Sequence, residues 1–119
     1  MRSLGKGTVS IVSIAALLSI GSATWVAPAF GADVTKGKKV YADKCVGCHG
    51  EKGKGDGPGA GMLSKKPADY TDKKAMSKLT DADLKRTVKQ GKAPMPAWSM
   101  ILTDQEIDDV VAYIRTFSK

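Results

Sequence analysis

Cys45-Val46-Gly47-Cys48-His49 is the stretch that decides the fold of this chain. The two thiols stand at positions i and i+3, so one helical turn can present both of them to the two vinyl groups along one edge of a haem. The imidazole that follows the second thiol is then placed to bind the iron. The pentapeptide therefore predicts one haem c attached through Cys45 and Cys48, with His49 as the proximal iron ligand.

Other uses of two closely spaced cysteines fit the sequence less well. A thioredoxin-like redox dithiol belongs to a βαβ unit, and the chain has no parallel-strand pattern. A zinc site needs two further ligands, but the chain holds two Cys and one His in total. A structural disulfide would close a very short loop. The single histidine also excludes ligation of one iron by two histidines of the same molecule.

The amino-terminal residues predict export. Two basic residues open the chain, an uncharged and largely apolar stretch follows over 7–32, and small residues of the A-x-A type lie near its end. This is the order of a secretory signal peptide. We predict a signal peptide over 1–32, cleaved between residues 29 and 32, and one domain over 33–119. An uncleaved membrane anchor is the alternative.

Positive charge is unevenly distributed along the chain. The net charge is +7, and removal of the two basic leader residues lowers it to +5. Residues 33–92 carry +7 and residues 93–119 carry −2. No basic helix with interleaved aromatic residues is present, so nucleic acid is not an expected partner. The lysines predict docking to redox proteins with acidic surfaces, with a merely solvated lysine surface as the alternative.

Helical periodicity dominates the predicted mature domain. The first helix is expected over 33–44, with an apolar stripe that includes Val34, and it leads directly into the cysteine motif. A capping box at Thr80 predicts a second helix that ends at Gly91. Another capping box at Thr103 predicts the last helix. The apolar face of that helix consists of Ile107, Val110, Val111, Ile114 and Phe117.

A domain of this size buries little apolar surface by itself. A buried macrocycle would supply the missing core, so we predict that the chain without haem is largely unfolded. The glycine-rich loop over 50–61 is expected to pack on the proximal side. There the carbonyl of Pro58 is expected to accept the imidazole N–H of His49, which fixes the ring orientation.

Methionine is the residue type left for the second axial position. Met95 stands between two prolines, which restrict the backbone on both sides. We predict that its thioether binds the iron and that Trp98 packs beside the haem, with Met62 and Met100 as alternative ligands. Met76 is set aside because its segment is polar and flanked by lysines.

Five motifs in chain order resemble those of small single-haem class I c-type cytochromes: C-V-G-C-H, G-x-G-D-G-P-G, K-P-A-D, G-x-A-P-M-P-A-W and L-T-D-x-E-I-x-x-V-V-A-Y-I-R. The resemblance covers essentially the whole mature chain. It implies an all-α class I cytochrome c fold, in which three to five short helices wrap around one covalently bound haem. It also implies thioether attachment at Cys45 and Cys48, and iron ligation by His49 and Met95.

The resemblance assigns structural roles as well. Gly37 and Tyr41 are similar to the glycine and the aromatic residue of the family's first helix, where the glycine lets the last helix cross closely. Tyr113 is similar to the aromatic residue of that last helix, and Pro58 to the proline whose carbonyl meets the proximal histidine. The segment 74–78 matches no family feature, so contacts to the haem propionates stay unassigned.

Together these features predict an exported, soluble, periplasmic electron-transfer protein that is not an enzyme. It would carry single electrons between respiratory redox partners, because two filled axial positions leave the iron no site for a substrate. A haem-bearing subunit of a larger membrane oxidoreductase complex is the main alternative. A peroxidase-like enzyme is disfavoured because there is no second histidine to act as a distal base. We expect a monomer that meets membranes only through partner complexes or an uncleaved anchor.

Overall fold

The structure is a computed structural model that describes residues 31–119. The predicted signal peptide lies outside the described residues, apart from its last two positions. Within residues 31–119, no helix is long and apolar enough to cross a membrane.

Five α-helices and two short 3-10 turns form the described part of the chain. The helices are α1 (Val34–Lys44), α2 (Val46–His49), α3 (Lys73–Met76), α4 (Asp81–Gln90) and α5 (Asp104–Arg115), and the 3-10 turns are Ala60–Met62 and Thr116–Ser118. Residues 31–119 contain no β-strand, only an isolated bridge between Lys92 and Met95. The predicted all-α fold with three to five short helices is confirmed.

Side chains cap the helices where the sequence indicates. The Thr80 hydroxyl accepts the amide of Asp83 while the Asp83 carboxylate accepts the amide of Thr80, which fixes the start of α4. Thr103 and Glu106 form the same reciprocal pair at the start of α5. Each capping box satisfies amides that a helix terminus leaves without intrahelical partners.

Helices α1 and α5 cross at backbone contact. A Cβ added to Gly37 would lie 1.9 Å from the carbonyl oxygen of Asp109, so only glycine fits there. The rings of Tyr41 and Tyr113 meet edge to face with centroids 5.3 Å apart. Both features confirm the predicted close crossing. Val34, the first residue of α1, is 42% exposed, so its predicted place in the apolar stripe was wrong, and the buried residues of α1 are Gly37 and Tyr41.

The glycine-rich loop folds back onto α2. The amides of Gly55, Gly57 and Gly59 donate to the carbonyls of His49, Cys48 and Gly47, at 2.8, 3.1 and 2.7 Å. The Tyr41 hydroxyl, from α1, donates to the carbonyl of Gly50 at 2.8 Å. These bonds hold the carbonyl end of the cysteine motif against the rest of the fold.

Helix α3 was not predicted from the sequence. The Asp72 side chain accepts the amide of Ala75 and starts this single turn. Its lysines face solvent, but Met76 is 2% exposed and belongs to the core, so the segment is polar on one side only. The Arg115 guanidinium of α5 then donates to the carbonyls of Met76 and Leu79 and ties this segment to the last helix.

Candidate functional site

One cavity of about 380 Å³ brings the predicted site residues together. Cys45, Cys48 and His49 line it from α2 and the residue before it, and Met95 lines it from the segment after α4. The other lining residues are mostly apolar, and they include Leu63, Pro67, Leu79, Leu84, Val88, Trp98 and Ile114. The size and lining are those of a site for a compact, largely apolar ligand.

The two cysteines carry free thiols with different surroundings. Cys45 is buried and Cys48 is half-buried. Burial, reinforced by the neighbouring Cys48, raises the pKa of Cys45 to about 11. Since the thiolate is the nucleophile in thiol–disulfide exchange, a Cys45 that stays protonated at neutral pH is poorly suited to a redox dithiol. The environment favours a structural or attachment role for this pair.

His49 is 7% exposed, and its ring orientation is set by a carbonyl from another segment. Its Nδ1 lies 3.4 Å from the carbonyl oxygen of Ala68. Because a carbonyl can only accept, Nδ1 carries the proton and Nε2 is unprotonated. Desolvation lowers the pKa of His49, so the imidazole is neutral at neutral pH. A neutral ring with one unprotonated nitrogen is the form that binds a metal ion.

Pro58 was the predicted partner of His49, and that prediction was wrong. Pro58 is exposed on the outside of the glycine-rich loop, whereas Ala68 comes from the irregular stretch that follows it. The loop amides at Gly57 and Gly59, on either side of Pro58, donate to the carbonyls of Cys48 and Gly47 in α2. The role predicted for a proline carbonyl is thus taken by a carbonyl from the K-P-A-D motif.

Tyr70 is a site residue that sequence reasoning missed. Its ring stacks on the imidazole of His49, with centroids 4.6 Å apart and planes at 15°. Its hydroxyl lies 3.3 Å from Nε2 of His49. A single tyrosine in an irregular stretch belongs to no periodic pattern, so the sequence gives no sign of this contact. It becomes visible only in the structure, where the stretch packs against α2.

A turn anchored on α4 carries Met95. The amides of Lys92 and Met95 each donate to the other residue's carbonyl, at 3.1 and 2.9 Å, and the Trp98 amide donates to the Val88 carbonyl at 3.0 Å. Gly91 has φ +72°, and a Cβ there would lie 2.7 Å from the Met95 carbonyl oxygen, so glycine is required. The turn holds Met95 at the cavity through backbone contacts.

The alternative methionines point elsewhere. Met62 is 87% exposed and Met100 is 93% exposed, and neither lines the cavity. The cavity therefore combines two thiols, a neutral imidazole and one thioether with apolar walls, a set that fits a covalently bound haem. Within residues 31–119 no group of three or more His, Cys, Asp or Glu side chains could hold a metal ion.

The rim of the cavity is positively charged. Lys44, Lys65, Lys66 and Lys92 are among its lining residues, and no Asp or Glu is. Lys44 is the one rim lysine with an ion pair among the described residues, to Asp43 at 2.9 Å. The remaining ammonium groups face solvent and give the cavity mouth a positive potential.

The comparisons with known proteins agree with this geometry. The family model of cytochrome c matches residues 34–118. A cytochrome c6 of Gloeothece citriformis is 37% identical over 109 residues, 92% of each chain. The Cbb3-type cytochrome c oxidase subunit FixP of Bradyrhizobium diazoefficiens is 36% identical over 88 residues, which are 72% of this chain and 28% of that subunit. The structure of cytochrome c6 from the diatom Phaeodactylum tricornutum superimposes with a TM-score of 0.57 and 26% sequence identity. The match spans 71% of this chain and 92% of the diatom protein.

Proposed function

Because this chain belongs to the cytochrome c family, we propose that it is an exported carrier of single electrons whose domain, residues 33–119, binds one haem c. The observation that carries the proposal is the single cavity shared by Cys45, Cys48, His49 and Met95. When bound, haem c supplies a one-electron iron(III)/iron(II) couple.

The residues of the site have separable tasks in this proposal. Cys45 and Cys48 would hold the macrocycle through two thioether bonds. His49, oriented by the carbonyl of Ala68, would bind the iron through its imidazole nitrogen. Met95 would supply the second protein ligand, which would leave the iron no site for a substrate and fits a carrier rather than an enzyme. Ligation by His and Met would raise the reduction potential relative to ligation by two histidines.

The lysine rim suggests how the carrier meets its partners. Positive charge at the cavity mouth steers acidic redox proteins toward the face where electrons are exchanged. Electron exchange with an acidic partner should slow as ionic strength rises, because salt screens this attraction. A rate that is independent of salt, measured by stopped flow, would contradict docking through lysines.

We expect the mature protein to be a monomer in the periplasm.

A second candidate function comes from the similarity to FixP. This chain could serve as the haem-bearing part of a larger membrane complex, held there by an uncleaved leader. The mass of the protein isolated from the periplasm separates the two proposals. Cleavage between residues 29 and 32 indicates a free carrier, whereas a retained leader with recovery in the membrane fraction indicates the subunit.

The decisive experiment on the site replaces methionines one at a time in the purified haem protein. Met95→Ala should abolish the near-infrared absorption band that methionine coordination to ferric iron produces. Met62→Ala and Met100→Ala are matched controls because both side chains are exposed, and they should leave the band unchanged. A band that survives in Met95→Ala overturns the distal assignment. A wild-type protein that emerges at its unmodified peptide mass overturns haem attachment itself.

A further inference from the structure

Asp109 is a buried acidic residue that pairs with no basic side chain in the described part of the chain. It lies on α5 at the crossing with α1 and is 1% exposed. Its Oδ1 accepts the backbone amide of Asp33 at 2.7 Å and the side-chain amide of Gln105 at 2.9 Å. The ion pairs within residues 31–119 all involve other acids. Burial of a carboxylate with only neutral donors costs free energy, which a nearby cation would offset.

Asp33, the residue whose amide Asp109 binds, marks the point where the chain enters the fold. The Asp33 carboxylate accepts the amides of Thr35 and Lys36 and starts α1. Gly31 and Ala32, just before it, are exposed. An exposed stretch that directly precedes a fixed helix start is accessible to a peptidase, whereas the helix behind it is protected.

The predicted range of leader cleavage includes this exposed stretch. Small residues at 29 and 31 match the A-x-A pattern, so the peptide bond between Gly31 and Ala32 is one of the predicted cuts. Hydrolysis adds water across that bond, leaves a carboxylate on Gly31 and frees the α-amino group of Ala32, which is positively charged at neutral pH. One residue spans at most ~3.6 Å, so this ammonium group lies next to the amide that Asp109 binds. Before the cut, the same nitrogen is a neutral amide.

We propose that Asp109 is the binding site for the amino terminus of the mature protein, created by cleavage after Gly31. The proposal rests on the proposed export and leader cleavage, and it does not involve the haem ligands. The ammonium group supplies the cation that the buried carboxylate lacks, so removal of the leader strengthens the contact between α1 and α5. The ion pair joins the first residue of the mature chain to the residue of α5 whose backbone carbonyl meets Gly37.

The mass of the haem protein isolated from the periplasm is the first test. We expect a mature chain that begins at Ala32. A chain that begins at any earlier residue, or that retains the whole leader, overturns the proposal because its amino group is displaced from Asp109.

A double-mutant cycle, in which chain length is one of the two changes, tests the ion pair itself. One version of the haem protein begins at Ala32, and the other carries a Ser-Gly-Ser extension that moves the ammonium group away. Asp109→Asn removes the charge but keeps an oxygen that can accept the Asp33 amide. In guanidinium titrations this substitution should raise the equilibrium constant of unfolding about fivefold more in the Ala32 version than in the extended version. An equal rise in both versions overturns the proposal.

Asp108→Asn is the matched control, because Asp108 is the neighbouring acid on α5 and pairs with Lys85. Its effect should be the same in both versions, and a dependence on chain length as large as that of Asp109→Asn overturns the proposal. If Asp109→Asn does not fold, the two lengths of the wild type decide. The extension alone should then raise the equilibrium constant of unfolding about fivefold, and no rise overturns the proposal. The methionine–iron band, read on the same samples, reports the proposed ligation separately, so its absence contradicts the ligation and not the role of Asp109.

Discussion

The crossing of α1 and α5 and the wall of the cavity are packed in different ways. At the crossing, Ile107, Val110, Val111 and Tyr41 are at most 1% exposed, and the two backbones touch at Gly37. At the cavity, Met95 and Trp98 are only half-buried, and the prolines beside Met95 are exposed. The polypeptide completes the first region alone, whereas the second needs a bound group to bury its apolar side chains.

This difference explains why haem and polypeptide are expected to fold together. The crossing supplies a small, dense contact between the two ends of the domain, and the cavity interrupts the rest of the core. A domain this small has little stability to spare. Substitutions at the crossing should therefore be costly even when the cavity is filled, and substitutions of the same kind elsewhere should not be.

The largest effect is expected for Gly37→Ala. Its Cβ would collide with the backbone of Asp109, which cannot move without displacing α5. Alanine favours a helix by about 1 kcal/mol over glycine, yet we expect a net loss of about 3 kcal/mol from the free energy of unfolding. Guanidinium titration of the haem protein, followed by far-UV circular dichroism, measures this loss.

Gly61→Ala is the matched control, because nothing lies within 4 Å of the position where its Cβ would be placed. It should change stability by less than about 0.5 kcal/mol. Equal stability of the Gly37→Ala and Gly61→Ala proteins would show that the two backbones are not in tight contact at the α1–α5 crossing.

Arg115 joins the two regions, and Arg115→Gln should have the next largest effect. Its guanidinium binds the carbonyls of Met76 and Leu79 and the carboxylate of Asp81, so it ties α5 to the segment that leads into α4. Loss of hydrogen bonds to a charged group should lower the free energy of unfolding by about 2 kcal/mol. Denaturant titration measures it.

Arg86→Gln tests the same chemistry at the surface. Arg86 is 59% exposed in its side chain and pairs with Asp83 within one helix. Exposed pairs of this kind contribute about 0.5 kcal/mol or less. If both arginine variants lose the same small amount, Arg115 does not link the crossing to the cavity wall.

Ile107→Val probes packing density at the crossing with a single methylene. Ile107 is 0% exposed, so this truncation should lower the free energy of unfolding by about 1 kcal/mol. Ile101, which is 63% exposed, provides the control, and Ile101→Val should be neutral within about 0.5 kcal/mol. Similar losses at both positions, measured by thermal unfolding, would mean that the crossing is no better packed than the surface.

The features that the sequence could predict differ from those it could not in how far apart along the chain the contacting residues lie. Local signals fixed by neighbouring residues were read correctly at both capping boxes and at the end of α4 at Gly91, whereas the glycine of the α1–α5 crossing was predicted from the family resemblance. The wrong or missed features depend on where an irregular stretch returns. His49 bonds to the carbonyl of Ala68 rather than to that of Pro58, and its ring stacks on Tyr70. Both contacts arise because the segment over 67–70 folds back onto α2. Neither periodicity nor composition encodes that return.

Helix α3 was also missed in the sequence, for a different reason. Its single turn is too short for a periodic pattern, and the lysines that flank Met76 hide a core position. Of the site, the sequence predicted the four residues that would hold the haem and the neighbouring Trp98, and the structure brings all five to one cavity. Their roles as ligands stay predictions, for which the methionine series is the test.

The smallest expected effect concerns the capping box of α4, the helix that carries Leu84 and Val88 to the cavity. Hydrogen bonds from the Thr80 hydroxyl and amide, and then from Arg86, lower the pKa of Asp83 from 3.8 to about 2. A carboxylate whose pKa is depressed by folding contributes stability above its ordinary pKa and loses it as the pH falls through the folded value. Asp83→Asn should therefore be slightly less stable than the wild type near neutral pH, and the difference in thermal midpoint should close between pH 3.8 and about 2. A difference for Asp83→Asn that is constant across this range would mean that the charged cap does not stabilise the cavity side of the fold.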